Sequence, residues 1–243
     1  MSNVNYEVLV YDQDPDNRIL AAEHGYGWDI LVHDPVPEVR LAVAIQGYRL
    51  DELINDYDNL VREAAMYMTY VESDDYKQRL DAARHGFGLD TLIYDENWNV
   101  RQVVAIQGCG LDVLIKDESA YVRAAVADRR YGLDILIHDK DEFVRRMVAL
   151  QGYGLETLVH DENAGVRKAV AEMGYGLEEL INDEDTWVRA AVAKHGYKLN
   201  VLVNDPMWPV RKAVAEQGYS LDILVNDKDS LVRNAAVEML QKT

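Results

Sequence analysis

The chain holds a single cysteine, Cys109, five prolines and two phenylalanines in 243 residues. A lone thiol fits a reducing compartment and points to a cytoplasmic protein. Positive charge is scarce: 25 lysines and arginines stand against 43 acids, a net charge of −18. Such a field disfavours non-specific binding to DNA, RNA or anionic lipid, and it favours a basic protein partner. The start "MSNVNYEVLVYD" has no positive n-region and no long apolar run, so neither a signal peptide nor a membrane span is expected. A phosphate-cradling loop is also missing. The recurring "GYGL" ends a helix, whereas a phosphate cradle needs glycines that lead into one.

What is present is a beat of arginines. Arg18, Arg40, Arg62, Arg79, Arg101, Arg123, Arg145, Arg167, Arg189, Arg211 and Arg233 follow one another at 22 residues, with one step of 17. A fixed period of this size marks a solenoid, in which each unit buries its apolar face only against its neighbours. The unit is clear in residues 139–160, "DKDEFVRRMVALQGYGLETLVH". Aspartate lies six residues before the arginine, a valine usually just before it, and small apolar residues two to four after it. Two residues after the aspartate comes an N-cap type, as at Asp14, Asp58, Asn97, Ser119, Asp141, Asn163, Asp185 and Asp229. Glycine seven residues after the arginine, from Gly25 to Gly218, is free to take the positive φ that ends a helix. The Leu-Asp-x-Leu-Val/Ile run that follows is compatible with a strand over five residues. An acid behind the first leucine favours a short α or 3₁₀ helix.

The predicted fold is therefore all-α: an α-solenoid, a curved superhelix of about eleven 22-residue repeats, each with one long and one short helix. One domain, 1–243, is expected. Within it residues 1–12 read as half a unit, 63–79 as a truncated repeat and 228–243 as a C-terminal capping helix. Aspartate, four residues, then Val-Arg opening a helix of small apolar residues resembles the HEAT-type repeat. The 22-residue length, with one full and one abbreviated helix, is similar to the leucine-rich-repeat variant. The resemblance spans almost the whole chain. It implies an aspartate–arginine ladder between layers and a surface that binds protein or nucleic acid. The founding variant-type protein adds a cysteine cluster holding an iron–sulfur centre; with Cys109 alone, that cofactor does not carry over and none is expected.

Much of the acidity belongs to the repeat. Ten repeat aspartates, eight acids of the short segment and five aspartate caps stand against eleven ladder arginines, which leaves −12; the other 20 acids and 14 bases add −6. Catalytic residues and metal ligands are not expected. Paired carboxylates recur in every layer, and histidines at one slot of successive layers, such as His138 and His160, lie roughly 8–10 Å apart, too far to share a metal without further ligands. HEAT-like DNA glycosylases use a basic stripe, while Lys116, Lys140, Lys168, Lys194, Lys212 and Lys228 occupy different slots here. The leading expectation is a non-enzymatic scaffold for a basic protein, without direct nucleic-acid or membrane contact. An acidic DNA mimic that inhibits a nuclease or regulator is the alternative, and a glycosylase-type enzyme stands behind both.

Departures from the template are the candidate partner-binding positions. Trp98, Tyr121, Phe143, Trp187 and Trp208 stand two or three residues ahead of their arginines, where other layers carry Pro15, Pro37, Asn59, Ala164 or Ser230, so the solenoid does not require a ring there. Two readings are open: docking anchors, which dominate many interfaces, or fillers of gaps against the next layer. The tyrosines after the glycine recur too regularly to form a site. The short step from Arg62 to Arg79 reads as a layer without its short helix, with Met66, Tyr67 and Met68 filling the vacated volume. Tyr67, Tyr70 and Tyr76, with Glu72, Asp74 and Asp75, alternatively make this notch a docking point.

Overall fold

The computed structural model describes residues 4–242. Residues 1–3 of the expected half unit and Thr243 of the expected capping helix lie outside the described residues. Contacts divide the chain into two units, 1–116 and 117–243. The first holds a short helix α1 (Tyr6–Leu9), then long and short helices in turn: α2 (Pro15–Glu23), α3 (Trp28–Leu31), α4 (Pro37–Ile45) and α5 (Leu50–Leu53). A 13-residue helix α6 (Asn59–Val71) interrupts the alternation, which resumes as α7 (Tyr76–Arg84), α8 (Leu89–Leu92), α9 (Trp98–Gln107) and α10 (Leu111–Leu114). The second unit alternates without a break through α11 (Ala120–Asp128), α12 (Leu133–Leu136), α13 (Glu142–Leu150), α14 (Leu155–Leu158), α15 (Ala164–Glu172) and α16 (Leu177–Leu180). It ends with α17 (Thr186–Lys194), α18 (Leu199–Leu202), α19 (Trp208–Glu216), α20 (Leu221–Leu224) and α21 (Ser230–Leu240). No strand occurs among the described residues. Within each unit every long helix packs on the next long helix, which is the order of an α-solenoid.

Local chemistry explains the alternation. Asp14, Asp58, Asn97, Asp141, Asn163, Asp185 and Asp229 accept the amide two residues on and so start their helices. Ser119 differs from expectation and makes no side-chain cap, while Asp75 adds one to α7. The four-residue helices are α-helical and survive only by packing, since one turn has no stability of its own. In each of them after α1 the last leucine is buried, as at Leu53, Leu92, Leu136 and Leu158. It meets the valine before the arginine and the small residues after it; Val144, Val148 and Ala149 show no exposure. Arg130 stands in the glycine slot and takes φ +59°, a left-handed conformation that costs a non-glycine residue roughly 1 kcal/mol.

Arginine and aspartate tie the layers together. Arg145 donates from Nε to Asp161 Oδ2 at 2.7 Å and from Nη2 to Oδ1 at 3.0 Å, while Nη1 reaches back to the Asp139 carbonyl at 2.8 Å. Asp161 Oδ1 also takes the Asn163 amide at 2.8 Å. The same fork joins Arg18 to Asp34, Arg40 to Asp56 and Arg79 to Asp95 in the first unit. In the second it joins Arg123 to Asp139, Arg167 to Asp183, Arg189 to Asp205 and Arg211 to Asp227. Arginine suits the role because its planar fork matches both carboxylate oxygens at once. Arg62 and Arg233 depart from this pattern: Arg62 donates to the Asp56 carbonyl and to Asn59 Oδ1, Arg233 to the Asp227 and Lys228 carbonyls, and neither forks onto a carboxylate among the described residues.

The fork lowers the carboxyl pKa of Asp56, Asp139, Asp161, Asp183 and Asp227. Hydrogen bonds from Arg40 and Arg211 hold Asp56 and Asp227 below the usual carboxylate value. At Asp139, Asp161 and Asp183 burial pushes upward, and the arginine fork with the following amide outweighs it. A depressed folded value means that the stabilisation is complete above the unfolded value near 4 and is lost as pH falls through the folded one. Thermal melts should thus show a midpoint nearly constant between about pH 5 and pH 7 and falling steeply below about pH 4. Arg145→Ala strands a buried carboxylate and should cost about 3 kcal/mol in urea titrations, against less than about 1 kcal/mol for Arg62→Ala.

Candidate interaction surfaces

The long helices of the second unit carry most of the rings picked out by sequence. Tyr121 on α11 and Phe143 on α13 meet with centroids 5.5 Å apart, and the Arg146 guanidinium lies 5.5 Å from the Phe143 centroid. Tyr121 is 52% exposed and Trp187 55%, whereas Phe143 and Trp208 are half-buried. The stack therefore does not consume these rings. Gly165 takes the equivalent place on α15 and leaves the row open between Phe143 and Trp187.

Trp187 and Trp208 converge on one pocket of about 170 Å³, floored by Ala190, Ala191 and Ala213. Alanine is what lets the indoles lie against the helix surface, since any longer side chain would lift them. Lys168, Lys194 and Lys212 line the same pocket, although their sequence slots differ. Lys168 is answered by Glu172 and Lys212 by Glu216, each at 2.6 Å along its own helix. The rim is thus close to charge-balanced, and the pocket can hold an apolar or aromatic side chain while its polar neighbours bond to backbone.

In the first unit Trp98 stands at the start of α9, 38% exposed. The post-glycine tyrosines Tyr26, Tyr131, Tyr153, Tyr175 and Tyr219 are partly exposed, and Tyr197 donates to Glu178 Oε2. His33 meets Glu52 at 3.3 Å and His160 meets Glu179 at 3.2 Å across adjacent layers. Among the described residues no three histidine, cysteine or acidic side chains gather as a metal site, and no helix is long and apolar enough to cross a membrane.

The missed beat has a different structure from the one expected. What the layer lacks is the helix end with its glycine turn, not the short helix: residues 67–71 occupy the short-helix place, fused to the long helix as one run, α6. The comparison with the N-terminus is direct, "YEVLVYDQD" against "YMTYVESDD". Tyr6 stacks on His24 at 4.1 Å and on Tyr26 at 5.6 Å; Tyr67 stacks on His85 at 4.2 Å and on Phe87 at 5.3 Å. Arg18 Nη1 donates to the Asp12 carbonyl, and Arg79 Nη1 to the Ser73 carbonyl, each at 2.8 Å. Residues 67–75 repeat the packing of residues 6–14. Ser73 in the aspartate slot is also why the ladder breaks at Arg62.

This arrangement sorts the three tyrosines. Tyr67 is 7% exposed, so it belongs to the packing and is withdrawn as a docking residue; its hydroxyl lies 3.0 Å from His85 Nε2. Tyr70 packs edge-on against it at 5.9 Å, and Tyr76 is partly exposed on α7. Met66 and Met68 do not fill the vacated volume. A groove of about 600 Å³ remains, walled by Ile45 and Leu50 on one side and Leu89 on the other, with Met68 and Val71 from α6. Sequence reasoning missed it because the 17-residue step was aligned on the wrong five residues; the likeness of residues 67–75 to 6–14 was the available signal.

No family model matches the chain, and no curated protein matches it. Two solved structures are similar at low identity. The X-ray structure of Escherichia coli YibA is 18% identical, with 84% of this chain and 96% of that chain covered and a TM-score of 0.42. The crystal structure of an engineered protein is 21% identical over 99% of this chain and 98% of that one, with a TM-score of 0.13. Neither assigns a role to this chain.

Gly88 tests the fused helix. It has φ +61°, and a Cβ there would come within 3.0 Å of both Val71 γ-carbons. Gly88→Ala should cost about 2–3 kcal/mol, from overpacking and positive φ together. In the Val71→Ala background the added cost should fall to roughly 1 kcal/mol, the conformational part alone. Equal costs in the two backgrounds would separate Val71 from the short-helix place.

Proposed function

We propose that this chain is a non-catalytic repeat scaffold of the HEAT-like or leucine-rich-repeat-variant kind that binds another protein through exposed rings and an acidic surface. The observation that carries the reading is the pair Trp187 and Trp208. Two indoles in successive layers share one pocket, and the neighbouring layers do without them. A buried aromatic anchor is the commonest source of interface energy.

Charge supports a basic partner. The ladder neutralises its aspartates internally, so acids of the short helices, such as Asp29, Asp51, Asp90 and Asp134, are left to face solvent. The first unit holds 21 acids against nine bases, and the second 22 against 16. Steering of a cationic protein is thus strongest at the first unit, while the apolar anchors lie on the second. Against catalysis speaks the repetition of every buried carboxylate with its arginine, a structural pattern rather than a unique reactive group. A cytoplasmic setting, with a single thiol, belongs to the same reading.

Affinity purification with quantitative mass spectrometry tests it. The double variant Trp187→Ala/Trp208→Ala, with an unchanged helical spectrum and melt, should lose partners at least about tenfold. Capture should also weaken with salt. Partners unchanged by this variant, and by no other surface substitution, would overturn the reading.

A further inference from the structure

The groove at the fused layer lies where the regular layers of this chain put a helix end and a tight turn, Gly-Tyr in six of them. Its walls come from the flanking layers at equivalent places: Ile45, Gln46 and Gly47 end α4, and Gly86 and Gly88 follow α7. The five residues that would stand between them are the five that the 17-residue step omits. The slot is therefore shaped by the repeat for a polypeptide turn carrying an aromatic side chain.

Its chemistry is specific as well. Ile45, Leu50, Val71 and Leu89 give the groove an aliphatic strip among polar groups such as Gln46 and Thr91, Met68 offers a thioether that adapts to a ring, and Glu72 and Asp90 belong to the same lining. A regular long helix closes its last carbonyls with the turn that follows; α2 does so with Gly25 N–H to Ala22 O at 3.1 Å and Tyr26 N–H to Ala21 O at 2.9 Å. α6 ends at Val71 with Glu72 as its cap and no glycine turn after it; Ser73 N–H bonds the Tyr70 carbonyl at 3.2 Å. The negative end of a 13-residue helix and two carboxylates thus face one opening, which suits a cation. The surrounding unit, with its excess of acids, adds to the same field.

We propose that this groove is a docking site for a turn of a partner protein in which an aromatic residue is flanked by lysine or arginine. The partner's turn stands in for the one this layer lacks: its ring enters between Leu50 and Leu89 over Met68, and its basic flanks meet Glu72, Asp90 and the end of α6. This rests on the reading of the chain as a scaffold for a basic protein, and it adds a second contact, separate from the Trp187 and Trp208 pocket.

Cys109, the only cysteine, lines the groove and supplies the readout. The probe is a cyclic peptide containing Lys-Gly-Tyr-Gly-Lys, compared with versions carrying alanine for tyrosine or glutamate for lysine. On the full chain, the basic aromatic peptide should bind with a Kd of about 0.1–1 mM. At saturation it should slow the reaction of Cys109 with a thiol reagent at least about fivefold. The two altered peptides should each bind at least about tenfold more weakly. Met68→Trp fills the groove and should abolish binding, and Glu72→Gln/Asp90→Asn, which leaves the packing alone, should weaken it in a salt-dependent way. Binding that ignores both variants, an unprotected Cys109, or equal binding of the glutamate peptide would overturn the proposal. The wider reading is judged separately: Met68→Trp leaves the indole pocket intact, so partners lost only with Trp187→Ala/Trp208→Ala would sink the groove and keep the scaffold.

Discussion

Everything else in this molecule depends on a two-pronged hydrogen bond between an arginine on one layer and an aspartate on the next. It is short, largely shielded from water and supplied with a third partner at each end: the arginine reaches back to the carbonyl of its own repeat aspartate, and the aspartate takes an amide two residues on. Desolvating both ions is expensive, and only this degree of satisfaction makes the burial tolerable. The fork also fixes how far one layer is set from the next, because both prongs close only at one offset. Valine and alanine fill the space between helices, while the ions set the register.

The repeat was legible in the sequence because each of its signals is local. Caps, stop glycines and the aspartate–arginine spacing depend on residues within one unit, and the structure follows them except at Ser119, which caps nothing. The fused layer was misread because its meaning lies in a comparison between distant segments. Tyr67 occupies a slot that is exposed elsewhere, at Glu23, Leu150 and Glu172, and is buried here by His85 and Phe87. Convergence of Trp187 with Trp208, and of three lysines from different slots, likewise needed the helix surface itself, since a 22-residue offset hides neighbours that share an edge.

The distribution of charge divides the surface by chemistry. Acids of the short helices and connections are mostly exposed, some of them answered by a neighbour as Glu178 is by Lys198, whereas the long-helix face around Trp187 alternates lysine with glutamate. An acidic net charge therefore describes the molecule poorly at any one point. In the proposed reading, attraction from a distance and adhesion at contact fall to different residues, which is the usual separation of association rate from complex lifetime.

The likeness of residues 67–75 to residues 6–14 bears on what holds a long helix to the segment before it. Tyr67 packs on His85 and Phe87 as Tyr6 packs on His24 and Tyr26, and Val71 lies against Gly88 as Val10 lies against Gly27. One set of contacts thus serves two places in the chain, and at the second of them a long helix runs straight into it. A ring and a valine suffice there, and the helix end with its glycine turn is one way among others of delivering such contacts.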